Sequence, residues 1–164
     1  TSKDCPAFGG VYKLAAVKQG DGEFVPKIKL SENTEKITNP GNKTTYRIYG
    51  KDSHKVIADI ICLVGETFNE DEPLLLFDPV ATWKKTLLAP GTYTMRELPV
   101  QVFKDGECVY HSPKVMDIQK YCKEELNTLW DETKRLVNPH EVHVDLSKPL
   151  WDMKHALLDK YHFE

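Results

Sequence analysis

Five cations crowd one short stretch. Lys27, Lys29, Lys36, Lys43 and Arg47 fall within residues 26–47, against two acids, Glu32 and Glu35. Positive side chains gathered around a chain reversal can present a surface to an anion, and Asn39-Pro40-Gly41 supplies a strong reversal signal. Gly41-Asn42-Lys43-Thr44 looks like the tail of a phosphate-cradling loop, but its spacing fails. That loop needs glycine immediately before the lysine and again five residues earlier, where this chain has Asn42 and Ile37. Gly9-Gly10 suits close packing at a strand start better than a phosphate. His140, His143 and Asp145 are metal-ligand types on a short extended link, yet no second cluster completes a coordination shell. No Ser or Cys has a nucleophile-elbow context, and no HExxH occurs. Cys5 reads as a loop thiol and Cys122 as a core residue. Glu124-Glu125 and Asp131-Glu132 fall on the solvent side of a helix, and Asn42-Lys43-Thr44 matches a glycosylation sequon. The residues therefore contain a basic edge without a complete catalytic set.

The elements that must carry this edge follow from pattern. Residues 11–17 are nearly continuous apolar, as in a strand buried on both faces or at the margin of a larger sheet. Gly20-Asp21-Gly22 turns the chain into a second strand over 24–30. Residues 44–49 and 56–64 alternate and are rich in β-branched and aromatic types, which predicts a hairpin through the turn at 51–54. An acidic loop at 65–73 precedes a short strand at 74–77, and residues 82–88 are ambiguous. Asp105-Gly106 between alternating runs is a hairpin turn signal. Ser112-Pro113 opens a long helix with apolar positions Val115, Ile118, Cys122, Leu126, Leu129, Leu136 and Val137, stopped by Asn138-Pro139. Ser147 and Pro149 open a second helix. The fold class is α+β, with antiparallel hairpins followed by two C-terminal helices.

Composition sets the outer bounds. The 164 residues suffice for one domain with a core, and a 40% hydrophobic, 29% charged make-up is that of a globular chain. A net charge of −3 argues against nucleic acid as partner. The basic character belongs to the first 55 residues, with ten Lys/Arg against six Asp/Glu, while the rest has twelve against nineteen. Four widely spaced cysteines make no CxxC pair, which points to a reducing cytoplasm. No apolar run has membrane-spanning length and no signal peptide is evident. An opening Thr1 in place of Met suggests a fragment.

The segment PAFGGVYKLAAV (6–17), followed by PKIKLSENTEKITNPGNKTTYRIYG (26–50), closely resembles the nicotinate phosphoribosyltransferase family. Three later pieces fit in the same order: PVQVFKDGECVYHSP, ELNTLWDETKRLVNP and VDLSKPLWDMKHALL. The resemblance runs along nearly the whole chain and is to the carboxy-terminal part of the enzyme. It implies that the intact protein joins nicotinate to phosphoribosyl pyrophosphate, giving nicotinate mononucleotide and pyrophosphate in NAD biosynthesis. ATP hydrolysis would drive the reaction, Mg²⁺ would accompany the diphosphates, and the enzyme would be a homodimer.

The resemblance also implies a division of labour. Residues 1–50 would be the end of the catalytic region, an irregular α/β barrel, with its linking strands, and 51–164 the carboxy-terminal domain. The phosphorylated histidine, the nicotinate-gripping residues and the glycine-rich phosphate loop would lie upstream of Thr1. Thr1, Ser2 and Lys3 would then be phosphate-proximal, and Lys29, Lys36, Lys43 and Arg47 would line an anion-facing edge. The chain by itself would have no catalytic residue, metal or cofactor. The competing reading is a free-standing α+β binding module whose basic edge takes an anionic ligand or protein partner.

Overall fold

In the computed structural model, which describes residues 9–33 and 36–162, β1 (Ala16–Lys18) pairs antiparallel with β2 (Phe24–Pro26). Val17 stands opposite Val25, and Gly20 takes a positive φ of 57° in the connection, as its lack of a Cβ permits. The strand expected over 11–17 is therefore much shorter. Val11 and Tyr12 are 82% and 84% exposed, because no strand among the described residues lies beside them. This ribbon belongs to a unit formed by Thr1–Asn42 with Met153–Glu164, and Lys43–Asp152 forms a second unit.

The second unit is organised on a six-stranded sheet. Its strands are β3 (Lys43–Gly50), β4 (Val56–Leu63), β5 (Leu74–Phe77), β6 (Lys85–Leu88), β7 (Tyr93–Glu97) and, after a separate two-stranded ribbon, β10 (His143–Leu146). The ribbon is β8 (Phe103–Lys104) with β9 (Glu107–Cys108). Asp105 and Gly106 both have positive φ between them, as the Asp-Gly signal requires. Helix α1 (Val115–Thr128) follows, then β10 (His143–Leu146) and α2 (Lys148–His162). Strand order across the sheet is β6-β5-β10-β4-β3-β7. The β3–β4 hairpin falls where alternation places it, with β3 between β4 and β7. β10, read from sequence as a mere link, enters the middle of the sheet, parallel to β4 and antiparallel to β5.

The alternation of β4 explains the two faces. Val56, Ala58, Ile60 and Cys62 are buried, while the residues between them are half-buried. On one face Ala58 and Ile60 pack with Ile48, Leu76 and Tyr93. Each large apolar side chain removed from water there contributes about 1.5–3 kcal/mol. The acidic loop closes this face instead of floating free. Phe68 meets Tyr46 edge-on at 5.4 Å, and the Tyr93 hydroxyl lies 3.1 and 3.0 Å from the carbonyls of Asn69 and Glu72. The carboxylate of Glu70 accepts the Met95 N–H at 2.7 Å.

On the other face Phe77, Leu146 and Leu150 cluster with Ile61, Leu63, Leu75 and Trp151. Leu150 sits there because Ser147 caps the start of α2, its hydroxyl accepting the Leu150 N–H at 3.4 Å. That hydroxyl also donates to Glu66, whose same carboxylate oxygen accepts the Leu63 N–H.

α1 departs from expectation at both ends. It starts after Lys114, which is extended and gives no side-chain cap, so Ser112 and Pro113 precede the helix without opening it. It stops at Thr128, ten residues before Asn138, because the following chain is tied down elsewhere. Lys55 Nζ donates to the Asn127 and Leu129 carbonyls at 2.6 and 3.2 Å, and the Trp130 indole N–H donates to Val56 O at 2.8 Å. Cys122, read as a core residue, is exposed, and α1 has no buried residue.

Candidate functional site

Thr1, Ser2 and Lys3 lie outside the described residues. Lys29 and Lys36 belong to the first unit, and both are exposed. Their backbone N–H groups are engaged, that of Lys29 with Thr38 Oγ1 at 2.9 Å and that of Lys36 with Asn33 O at 3.0 Å. Lys43 and Arg47 belong to the second unit. They occupy β3 four residues apart and so share a sheet face. Lys43 is half-buried, and that desolvation lowers its pKa.

Register decides what Arg47 does. It stands directly opposite Asp59 on β4 and grips it with two parallel bonds, Nε–Oδ1 at 2.8 Å and Nη2–Oδ2 at 2.9 Å. The hydrogen bond to Asp59 raises the arginine pKa, so the guanidinium stays charged and paired. On its other side Arg47 stands opposite Arg96 of β7. Two guanidinium groups side by side would repel, and the second carboxylate that resolves this comes from α1. Arg96 Nη1 and Nη2 donate to Glu125 Oε1 and Oε2 at 2.8 and 2.6 Å. Arg96 also lies over the Tyr49 ring at 5.6 Å. The Tyr49 hydroxyl is buried without a hydrogen-bond partner among the described residues, and burial raises its pKa.

Glu125 therefore faces the sheet, correcting its placement on the solvent side of the helix. The Arg96–Glu125 bond has no local sequence signature. It exists because β7 pairs with β3 in one register and α1 crosses that point. Asp59, Arg47, Arg96 and Glu125 form a row in which two adjacent arginines are flanked by carboxylates, each positive charge matched to its own, and which fastens α1 to the sheet.

The remaining chemically suggestive residues do not converge. His140 lines an open depression of about 500 Å³ with Trp130, Glu132 and Glu141. Asp145 is instead buried in β10, where desolvation raises its pKa, and His143 is exposed. Among the described residues no group of three His, Cys, Asp or Glu side chains could hold a metal ion. A second depression of about 310 Å³ is lined by Tyr46, Glu66, Thr67, Phe68, Glu70 and Met95, several of which already pin the acidic loop. Burial pushes the Cys62 thiol up to about 12, so it stays protonated and unreactive at neutral pH. No helix among the described residues is long and apolar enough to cross a membrane.

Comparison with known proteins places this arrangement. Residues 42–154 match the family model described as the nicotinate phosphoribosyltransferase C-terminal domain. The nicotinate phosphoribosyltransferase of Bacillus subtilis (strain 168) is 39% identical over 154 residues, covering 94% of this chain and 31% of that protein. The enzyme of the same name from Homo sapiens is 29% identical, covering 93% of this chain and 27% of the relative. A crystal structure of human nicotinic acid phosphoribosyltransferase shares the fold at a TM-score of 0.62 and 22% identity, over 74% of this chain and 24% of that one. The chain thus spans less than a third of the length of these relatives.

Proposed function

This chain belongs to the nicotinate phosphoribosyltransferase family, as its C-terminal domain, and from that premise we propose that it works as the supporting part of a longer enzyme. The intact enzyme would join nicotinate to phosphoribosyl pyrophosphate, releasing pyrophosphate and giving nicotinate mononucleotide for NAD synthesis, with ATP hydrolysis as driving force. It would act as a homodimer. The observation that carries this reading is the match of 94% of the chain to only 31% of a relative bearing that name.

The geometry supports a supporting role. Arg47 is committed to Asp59, Arg96 to Glu125, and the buried Cys62 is protonated. Mg²⁺ and ATP belong to the proposed intact enzyme, and the described residues do not assemble a metal site of their own. Thr1, Ser2 and Lys3 would lie nearest the ribose phosphate. Lys29, Lys36 and Lys43 would contribute positive potential along the approach, with Arg47 holding the strand that carries Lys43.

The experiment is an assay of nicotinate mononucleotide formation from nicotinate, phosphoribosyl pyrophosphate and ATP. The 164-residue chain should show none, and the complete polypeptide encoded by its gene should turn over. Turnover by the chain alone, or none by the complete polypeptide, overturns the proposal.

A further inference from the structure

α1 lies on the sheet by the wrong side for a core helix. Within 115–128 the two residues that are not exposed are Glu125 and Thr128, and Glu125 is the one that binds Arg96. Val115, Ile118, Cys122 and Leu126 recur at helical spacing and form a continuous apolar stripe. With 3.6 residues per turn, that stripe is centred roughly a quarter turn around the axis from the Glu125–Thr128 side. It consequently stands to the side of the sheet contact and open to solvent, with Val115 and Ile118 78% and 50% exposed. Local sequence built an amphipathic helix, and the second unit uses only its polar flank. A stripe of this kind beside a polar rim has the anatomy of an interface.

The lengths of the relatives supply an occupant for it. More than two thirds of the Bacillus subtilis relative lies outside the match to this chain, and the matched family model contains all of α1. We propose that the Val115–Ile118–Cys122–Leu126 face of α1 is the docking surface for the part of the enzyme that this chain does not span. It joins the C-terminal domain to the remainder of the same polypeptide through an apolar contact. The Arg96–Glu125 bond orients the helix so that this face is presented. The inference rests on the proposed function, since it requires a longer enzyme to exist.

Cys122 is a native reporter at the middle of the stripe. Cys108, exposed on the β8–β9 ribbon, is a second accessible thiol, and Cys62 is buried. The experiment treats the 164-residue chain and the complete polypeptide encoded by the same gene with a small maleimide, reading each cysteine by peptide mass spectrometry. In the chain, Cys122 and Cys108 should label readily and Cys62 should not. In the complete polypeptide, Cys122 should label about tenfold or more slowly, because access governs thiolate attack. A complete polypeptide that makes nicotinate mononucleotide but leaves Cys122 as reactive as in the chain overturns the docking proposal and leaves the function standing. A complete polypeptide without that activity strikes the function first. If Cys122 becomes protected in the chain alone as its concentration rises, the occupant is a second copy, and the proposal fails.

Discussion

Replacing Glu125 with Gln should loosen α1 without unfolding the sheet. The helix buries no residue, so its hold on the second unit depends on a few polar contacts. These are the bidentate Arg96–Glu125 bond at 2.6 and 2.8 Å, Lys55 Nζ on two carbonyls, and the Trp130 indole on Val56 O. The side chains of Arg96 and Glu125 are 42% and 23% exposed, so solvent screens the pair and its contribution is that of a good surface bond, about 1 kcal/mol. At 25 °C that corresponds to about a fivefold rise in the open population of the helix. Amide hydrogen exchange read by mass spectrometry should show the α1 peptides exchanging about five times faster, with β3 and β4 unchanged. Arg96→Gln should have a similar effect, and the double variant should be less than additive.

The pH dependence has a definite sign. The hydrogen bond from Arg96 lowers the Glu125 pKa below its ordinary 4.5. A carboxylate depressed on folding contributes stability that is fully present above its unfolded pKa and lost as pH falls through the folded one. Protection of α1 should therefore hold at neutral pH and fall in the acid range below the ordinary carboxyl value, and Glu125→Gln should remove that acid limb. Unchanged α1 exchange in Glu125→Gln, or equal acceleration across β3 and β4, would refute the view that this bond anchors the helix locally.

Two further outcomes test the core. Ile60→Ala, at a fully buried position in β4, should cost about 2–5 kcal/mol and lower Tm by about 10 °C in a thermal melt, through lost burial and a residual cavity. Tyr93→Phe keeps the ring but removes the hydroxyl that meets the Asn69 and Glu72 carbonyls, so about 1 kcal/mol should be lost in denaturant unfolding. The loop at 65–73 should then become the first site of limited proteolysis; a loop as resistant as in the parent chain would count against its being pinned by Tyr93.

Much of the local structure was legible because local rules produce it. The β3–β4 hairpin follows from alternation, the Asp105-Gly106 turn from residues that tolerate positive φ, and the start of α2 from a serine able to cap it. Membership of the family was legible too, because long segments spread over the chain carry it. Helical periodicity likewise showed that residues from 115 onward form an amphipathic helix.

Tertiary structure alone decided where those elements point. Periodicity states which residues share a face but not what the face meets, so Cys122 on the α1 stripe read as core although the sheet takes the helix by Glu125. Four residues, His143–Leu146, carry too little pattern to announce a strand, and β10 became one through its pairing with β4 some eighty positions earlier. Arg47 belonged, in sequence, to a run of exposed cations. Register across β3 and β4 set it against Asp59, and register across β3 and β7 set Arg96 beside it. Partner choice of this kind is a property of strands brought together from distant parts of the chain. The cations were written in the sequence, and the carboxylates that neutralise two of them were assigned by the fold.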